Sequence, residues 1–444
     1  MIINKKNSEK LEQAVSQALK VAKRCGADQA EVSLSVDSGL SVAVRNGETE
    51  TLEYHKDKGL SVTVFKDQCK GSASTSDLSE KAISQSVKTA FDIARFTAKD
   101  VYSGLAPEEE MAWQYPDLSL YFPWDVSAED AVELAVNCES AALKYDKRIV
   151  NSEGASVSSH EAFHVYGNSH GFLASYPSSM HSLSCAVIGK DGEVMQRDYW
   201  YSHARDSDFL ESASAIGKQA AKRTLARLNG KKLSTAKVPV LFSPEMAAGI
   251  FSHFVSAISG GSLYRKASFL VDGIDKMIFP DWMHILEQPH IVSGLGSCPY
   301  DSEGVRTRSR DIVADGNLQS YVLDSYAARK LDMTTTGNSG GVHNLTVVPN
   351  HSNFKAMLKL MDKGLLVTEL MGQGINIVTG DYSRGAAGFW VENGKIQYPV
   401  EEITIAGNLS DMFNKLVAVG NDLDLRRNIR TGSILVEEMM IAGS

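Results

Sequence analysis

Three short runs in this sequence carry residue types that can do chemistry. His160-Glu161-Ala162-Phe163-His164 matches the His-Glu-x-x-His zinc-peptidase pattern, in which two imidazoles hold the ion and the glutamate acts as base. That chemistry needs a helix, where positions i and i+4 lie about 6 Å apart; on a strand the same Cα atoms are about 13 Å apart. The flanks, Ala155-Ser-Val-Ser-Ser159 and Val165-Tyr-Gly-Asn-Ser-His-Gly171, predict a strand running into a turn, so the match is read as accidental. Gly337-Asn-Ser339-Gly-Gly341 has the form of a nucleophile elbow but precedes a strand-like run, Val342–Val348, where an elbow needs a helix; it is read as a Gly-rich loop. Gly372-Gln-Gly374 lacks the third glycine of a dinucleotide site, and no Walker A run is present.

The elements that must position these residues are legible from periodicity. An apolar stripe of Leu11, Val15, Ala18, Leu19 and Ala22, ended by Gly26, predicts a helix over 8–25. Strands are predicted at Ala30–Val36, Leu40–Arg45 and Leu60–Phe65, with turns at Asp37–Gly39 and Lys56–Gly59, then a helix over Ser79–Ala98. After a proline-bearing connector, Ser103–Trp124, a second unit repeats the order: a helix opened by a Ser127/Asp130 capping box, strands over Ile149–His203, and a helix over Asp208–Leu228. From Val238 onward the chain is Gly-rich with short strands and a helix at Pro244–Ile258. The expectation is an α+β protein: two N-terminal α+β units with antiparallel sheets (1–102 and 103–232), then a mostly-β C-terminal domain (233–444).

Composition narrows the function. The chain has 444 residues, 45 basic and 54 acidic side chains and a net charge of −9, which disfavours direct nucleic-acid binding. It has no run of about 20 apolar residues and a polar start, Met1–Ser8, so no membrane association and a cytoplasmic location are expected. Five cysteines, with no C-x-x-C, read as reduced and mostly buried thiols.

The run Thr368–Trp390, followed by Val391–Val400, Ile403-Thr-Ile-Ala-Gly-Asn408 and Met440-Ile-Ala-Gly443, resembles the TldD/PmbA family of metallopeptidases, also described as modulators of DNA gyrase. Tyr264-Arg-Lys266, Phe279-Pro-Asp-Trp282, Asp301–Arg306 and Asn168-Ser-His-Gly171 extend the similarity over nearly the whole chain, nearest to the PmbA/TldE branch. The resemblance implies that the catalytic TldD-type subunit carries His-Glu-x-x-x-His on a helix of the last domain, with a cysteine near the chain end as a further zinc ligand. Here that helix reads His253-Phe254-Val255-Ser256-Ala257-Ile258, the chain end reads Arg430-Thr431-Gly432, and no cysteine follows Cys298. The expectation is thus a subunit with no cofactor and no metal of its own, with zinc in a TldD-like catalytic paralogue, acting on unstructured peptides such as precursor peptides and antitoxin-type proteins. A homo-oligomer is its expected form in isolation. Candidate cleft residues are His253, Arg265, Lys266, Arg306, His343, Asn344, Glu369, Asp381 and Arg384, each equally readable as a solvated charge or a structural hydrogen bonder. The rival readings are an autonomous zinc peptidase using His160, Glu161 and His164, and a non-enzymatic peptide-binding regulator.

Overall fold

A computed structural model describes residues 5–443. The N-terminal half runs α1 (Lys5–Cys25), β1 (Gln29–Arg45), β2 (Glu48–Lys66), β3 (Cys69–Thr75), α2 (Glu80–Phe96), α3 (Ala128–Leu143), β4 (Ile149–Asn168), β5 (Leu173–Asp191), β6 (Val194–Ala204) and α4 (Ala213–Ala226). Its strands form one six-stranded antiparallel sheet in the order β3-β2-β1-β4-β5-β6. The two units therefore share a single sheet, joined where β1 pairs with β4 from Glu31↔Asn168 to Val44↔Ala155.

The predicted turns at Asp37–Gly39 and Lys56–Gly59 are instead the interiors of long strands, paired as Asp37↔Asp57 and Gly39↔His55. The alternation explains why: Val36, Leu40 and Val42 keep one phase through Ser38, so no reversal interrupts the face they bury. The chain turns at Asn46-Gly47, where both φ angles are positive (52° and 78°), the pair a tight hairpin favours. The Glu139 carboxylate accepts both backbone N–H groups there, each at 2.8 Å.

The even-numbered residues of β1 face the helices. Val32, Leu34 and Val36 join α1 and α2 in one core; Leu40, Val42 and Val44 join α3 and α4 in another. The helices start where short polar side chains cap them: Ser79 accepts from Ala82 N–H, Ser127 from Asp130 N–H (3.0 Å) and Ser212 from Ala215 N–H. The opposite face of the sheet carries no described helix; its middle is polar and small, with Ser33, Ser35, Asp37 and Gly39 on β1 and the hydrogen-bonded pairs Ser156–Ser184 (2.8 Å) and Ser158–Ser182 (2.7 Å) on β4 and β5, while Tyr166 and Tyr176 pack with Tyr300 at one end.

The C-terminal half runs β7 (Ala236–Phe242), α5 (Pro244–Ala257), α6 (Gly260–Tyr264), β8 (Ile285–Glu287), β9 (Arg310–Ala314), β10 (Asn317–Leu318), α7 (Ser325–Lys330), β11 (Leu345–Val347), α8 (Phe354–Met361), β12 (Gly364–Met371), β13 (Asp381–Glu392), β14 (Lys395–Asn408), α9 (Leu409–Asn414), β15 (Leu416–Val419), β16 (Ile429–Arg430) and β17 (Ile434–Gly443). The order β14-β13-β12-β7-β17 closes on itself because β17 also pairs with β14, giving a small barrel that leaves no open edge among those strands. Gly388 sits where β13 crosses β12; a Cβ there would stand 1.8 Å from the Leu366 carbonyl oxygen. The mixed α+β class, with antiparallel sheets in the N-terminal half and a mostly-β C-terminal half, is as expected from the sequence. No described helix is long and apolar enough to cross a membrane.

Candidate functional site

Helix α5 starts directly after β7, with Pro244 at its first position. Its inner face, Ala247, Ile250, Phe251, Phe254 and Ala257, is core, and Phe254 and Ile258 are fully buried. The Phe254 ring packs edge-on against Phe279 (5.1 Å) and Phe413 (5.8 Å). His253 lies on the flank of the same helix, its ring 6.2 Å from that of Tyr382 on β13. The His253 Nε2 and the Tyr382 hydroxyl are both buried without a partner. Burial, and secondly the Arg384 guanidinium, hold the His253 imidazole below its ordinary pKa, while burial raises the Tyr382 hydroxyl to about 12. The arrangement is a neutral imidazole beside a phenol and a cation.

This helix does not suit a zinc ion. The positions next to and five residues beyond His253 carry a phenyl ring and a branched alkyl group inside the core, with no donor atom to offer. Arg430, on β16, is half-buried, and its neighbour Ser433 gives its N–H and hydroxyl to Asp422 (3.0 Å each). Among the described residues no three His, Cys, Asp or Glu side chains converge on a point that would hold an ion.

Of the nine predicted cleft residues, the structure gathers His253 and Arg384 around Tyr382 and scatters the rest. Arg384 itself donates to the Leu370 carbonyl at 3.3 Å. Glu369, on β12, pairs with Arg227, which follows α4, and both line a cavity of about 160 Å³ between the two halves. Asp381 accepts from the Thr379 hydroxyl (2.6 Å), closing the turn that opens β13. Arg265 lies over the Tyr264 ring (5.3 Å) and Lys266 is exposed with a φ of 54°. Arg306 donates to Glu110 of the connector (3.3 Å).

His343 and Asn344 belong to a buried network in which Glu287 is the hub. Its carboxylate accepts from His343 N–H (2.8 Å), Asn338 Nδ2 (2.7 Å) and Arg310 Nε (2.8 Å). Asn344 donates to the Gln288 carbonyl (2.9 Å) and Ser297 hydroxyl (2.7 Å) and accepts from Gly296 N–H (2.9 Å). The Gly337–Gly341 loop is part of this network, and no helix follows it. The predicted cleft residues omit Tyr382, Glu287 and Arg310. Glu287 sits in the apolar run Ile285-Leu286, and an acid in such a place signals a buried, paired charge.

His160, Glu161 and His164 lie on β4, as their flanks predict. Glu161 takes a hydrogen bond from Tyr121 (2.8 Å) and points to the face opposite the two histidines, so the three do not form a metallopeptidase centre. His160 instead meets His55 of β2, with 3.0 Å between ring nitrogens. All five cysteines are free; Cys138 and Cys185 are buried and the other three half-buried.

Burial depresses the pKa of His164, His181, His203, His253, His290 and His343. The unfolded chain then binds more protons than the folded one below the ordinary histidine value of 6.5, so stability falls as pH drops through that value. Burial also raises the carboxyls of Glu31, Glu303 and Asp301, the last to about 7, which opposes the histidines in the same range; the imidazoles are the more numerous, so urea midpoints measured from pH 8 to pH 5 are expected to decline below about pH 7, and midpoints that rise on acidification would show that the carboxyls dominate.

Three domains of the PmbA/TldA metallopeptidases match in order: domain 1 over residues 30–94, the central domain over 121–228 and the C-terminal domain over 235–443. The metalloprotease PmbA of Escherichia coli O157:H7 is 52% identical over 98% of this chain and 96% of its own. The chain belongs to the PmbA/TldD metallopeptidase family. A PmbA homologue of Haemophilus influenzae is also 52% identical (99% and 98% covered), whereas the TldD homologue of that organism is 22% identical over 90% of this chain and 87% of its own, which places this family member with PmbA. A protein of Bacteroides thetaiotaomicron described as a modulator of DNA gyrase superposes with a TM-score of 0.94 at 31% identity, with both chains fully covered. TldE from Thermococcus kodakarensis shares the fold, with a TM-score of 0.86 at 21% identity over 97% of this chain and all of its own.

Proposed function

We propose that this chain is the TldE-like subunit of a cytoplasmic heteromeric peptidase, without a catalytic zinc site of its own, and that a TldD-like paralogue supplies zinc and base. The observation that carries the reading is the packing of α5, whose Phe254 and Ile258 are committed to the core where the catalytic subunit would need a glutamate and a histidine. The chain, divided near residues 102 and 232, contributes one wall of a shared cleft, with His253, Arg384, Arg265 and Lys266 as its available polar groups.

The substrate class, unstructured peptide, is supported by a cavity of about 480 Å³ between the helix-free face of the sheet and the Tyr300–Ser302 loop, lined among others by Ser33, Ser35, Ser61, His164 and Tyr176. Short hydroxyls on strands suit an extended backbone, whose N–H and C=O groups they can serve whatever its side chains are.

Reconstitution tests the proposal. The purified chain is expected to leave an extended peptide intact, and addition of the TldD-like paralogue to start its hydrolysis. Hydrolysis by the chain alone, abolished by Glu161→Gln, would restore the autonomous peptidase; failure of any paralogue to elicit hydrolysis would leave a peptide-binding regulator.

A further inference from the structure

The structure assigns a second chemical role to His160, apart from the peptidase reading: with His55 it forms a two-imidazole site for a divalent transition metal ion on the helix-free face of the sheet. These histidines are not on neighbouring strands. β1 runs between them, and its residue in that rung is Gly39, paired with His55 on one side and His160 on the other. Strands two apart are separated by about 9.6 Å, too far for side chains to meet over an ordinary residue. Gly39 removes the obstacle: a Cβ there would stand 2.4 Å from His55 Cε1, 2.8 Å from His55 Nε2 and 2.6 Å from the Ser159 carbonyl oxygen. The imidazoles close over the gap, ring centroids 5.0 Å apart and planes tilted by 34°.

The atoms that meet are the ones a metal would use. His55 Nε2 and His160 Nδ1 are 3.0 Å apart. Two nitrogens bound tetrahedrally to one ion at about 2.0–2.1 Å lie about 3.3 Å apart, so the pair needs to open by only a few tenths of an ångström. Without an ion one ring donates a hydrogen bond to the other; with an ion both nitrogens present lone pairs to it. The far nitrogen of His160, Nε2, lies 3.9 Å from the Asp37 carboxylate, in the place of the outer carboxylate that orients a metal-bound imidazole. Imidazole donors select zinc, nickel and copper over magnesium and calcium. With two protein ligands the remaining positions belong to water, so the ion exchanges readily. His55 lies on the part of β2, Glu48–Lys58, that pairs only with β1. A bound ion would tie this stretch to β4.

The site does not use Glu161, which lies on the other face of β4 with Tyr121. Its test uses the full chain, stripped with a chelator and titrated calorimetrically with zinc chloride at pH 7.5. The expected result is one ion per chain, an affinity at least tenfold weaker in His55→Ala and in His160→Ala, and about tenfold weaker in Asp37→Asn. His284→Ala, in the C-terminal half beside Asp315, should bind as the parent does. The melting temperature should rise with zinc in the parent and stay fixed in the two histidine variants. If a variant were to misfold, cobalt(II) added to the parent gives the same answer, because paramagnetic shifts should appear first on the His55 and His160 ring protons. Unaltered zinc affinity in both histidine variants, shifts centred on other residues, or no binding at millimolar zinc would overturn the assignment.

Discussion

Phe254→Ala is expected to lower the unfolding free energy by about 3–5 kcal/mol, the cost of removing a fully buried aromatic ring from a packed core. The ring has edge-on partners, Phe279 and Phe413, that are themselves fully buried and 4.8 Å apart, so the space it leaves has little freedom to collapse. Phe254→Glu is expected to cost more, because a carboxylate at that place meets only hydrocarbon and must either stay protonated or open the core. Equilibrium urea unfolding measures both, and the order parent, alanine, glutamate is the prediction. The functional point lies in the comparison with the catalytic branch. If Phe254→Glu together with Ile258→His folded as stably as the parent, α5 would be a face that tolerates metal ligands, and the argument that catalysis resides on another chain would lose its basis.

The elements carrying this argument were legible to different degrees. Helix α5 and its register could be read from the apolar spacing of Ile250, Phe251, Phe254 and Ile258 after Pro244, and the structure places all four in the core. The strand identity of His160 and His164 followed from β-branched and small polar flanks. Strand length was not legible: Asp37-Ser-Gly39 carries turn-forming residues, yet the apolar phase runs unbroken through it, and the phase decided the outcome. The same glycine shows why local reading fails for sites. Its purpose, room for two imidazoles from strands on either side, depends on a pairing between residues 105 positions apart, which no local pattern encodes. The joining of the two N-terminal units into one sheet has the same origin, since both edges that meet, β1 and β4, alternate in the same way and neither announces its partner. Among the nine cleft candidates, chemistry-bearing residue types were found but their partners were not. Asp381 turns out to fasten its own turn through Thr379, whereas Asn344 and Arg306 fasten segments distant in sequence, to Gln288 and Ser297 and to Glu110, which no local pattern announces.

Arg310→Ala should have an effect of similar size for a different reason. Glu287 is buried and Arg310 only partly exposed, and removal of the guanidinium leaves a carboxylate 2% exposed without its counter-charge. Burying a charge without its partner in this way costs about 3–5 kcal/mol, whereas Arg306→Ala, which removes the more exposed of the two arginines on Glu110 and leaves Arg308 paired with it, should cost at most about 1 kcal/mol. A stability change alone would not separate an electrostatic role for Arg310 from its packing, but His343 does. Its imidazole is held below the ordinary value chiefly by burial, with Arg310 pushing in the same direction and Glu287 opposing. In Arg310→Ala the opposing cation is gone and the carboxylate is unneutralised, so both changes raise the His343 pKa. Arg310→Met, which keeps most of the volume, should raise it as well, and an NMR titration of the ring protons reads the shift directly. With the folded-state His343 pKa nearer its unfolded value, this residue's share of the acid loss of stability should shrink, so both variants should fall less steeply than the parent below about pH 6.5. A His343 titration that does not move in the methionine variant would reduce Arg310 to a space-filling residue and remove the electrostatic account of how the Gly337–Gly341 loop is held.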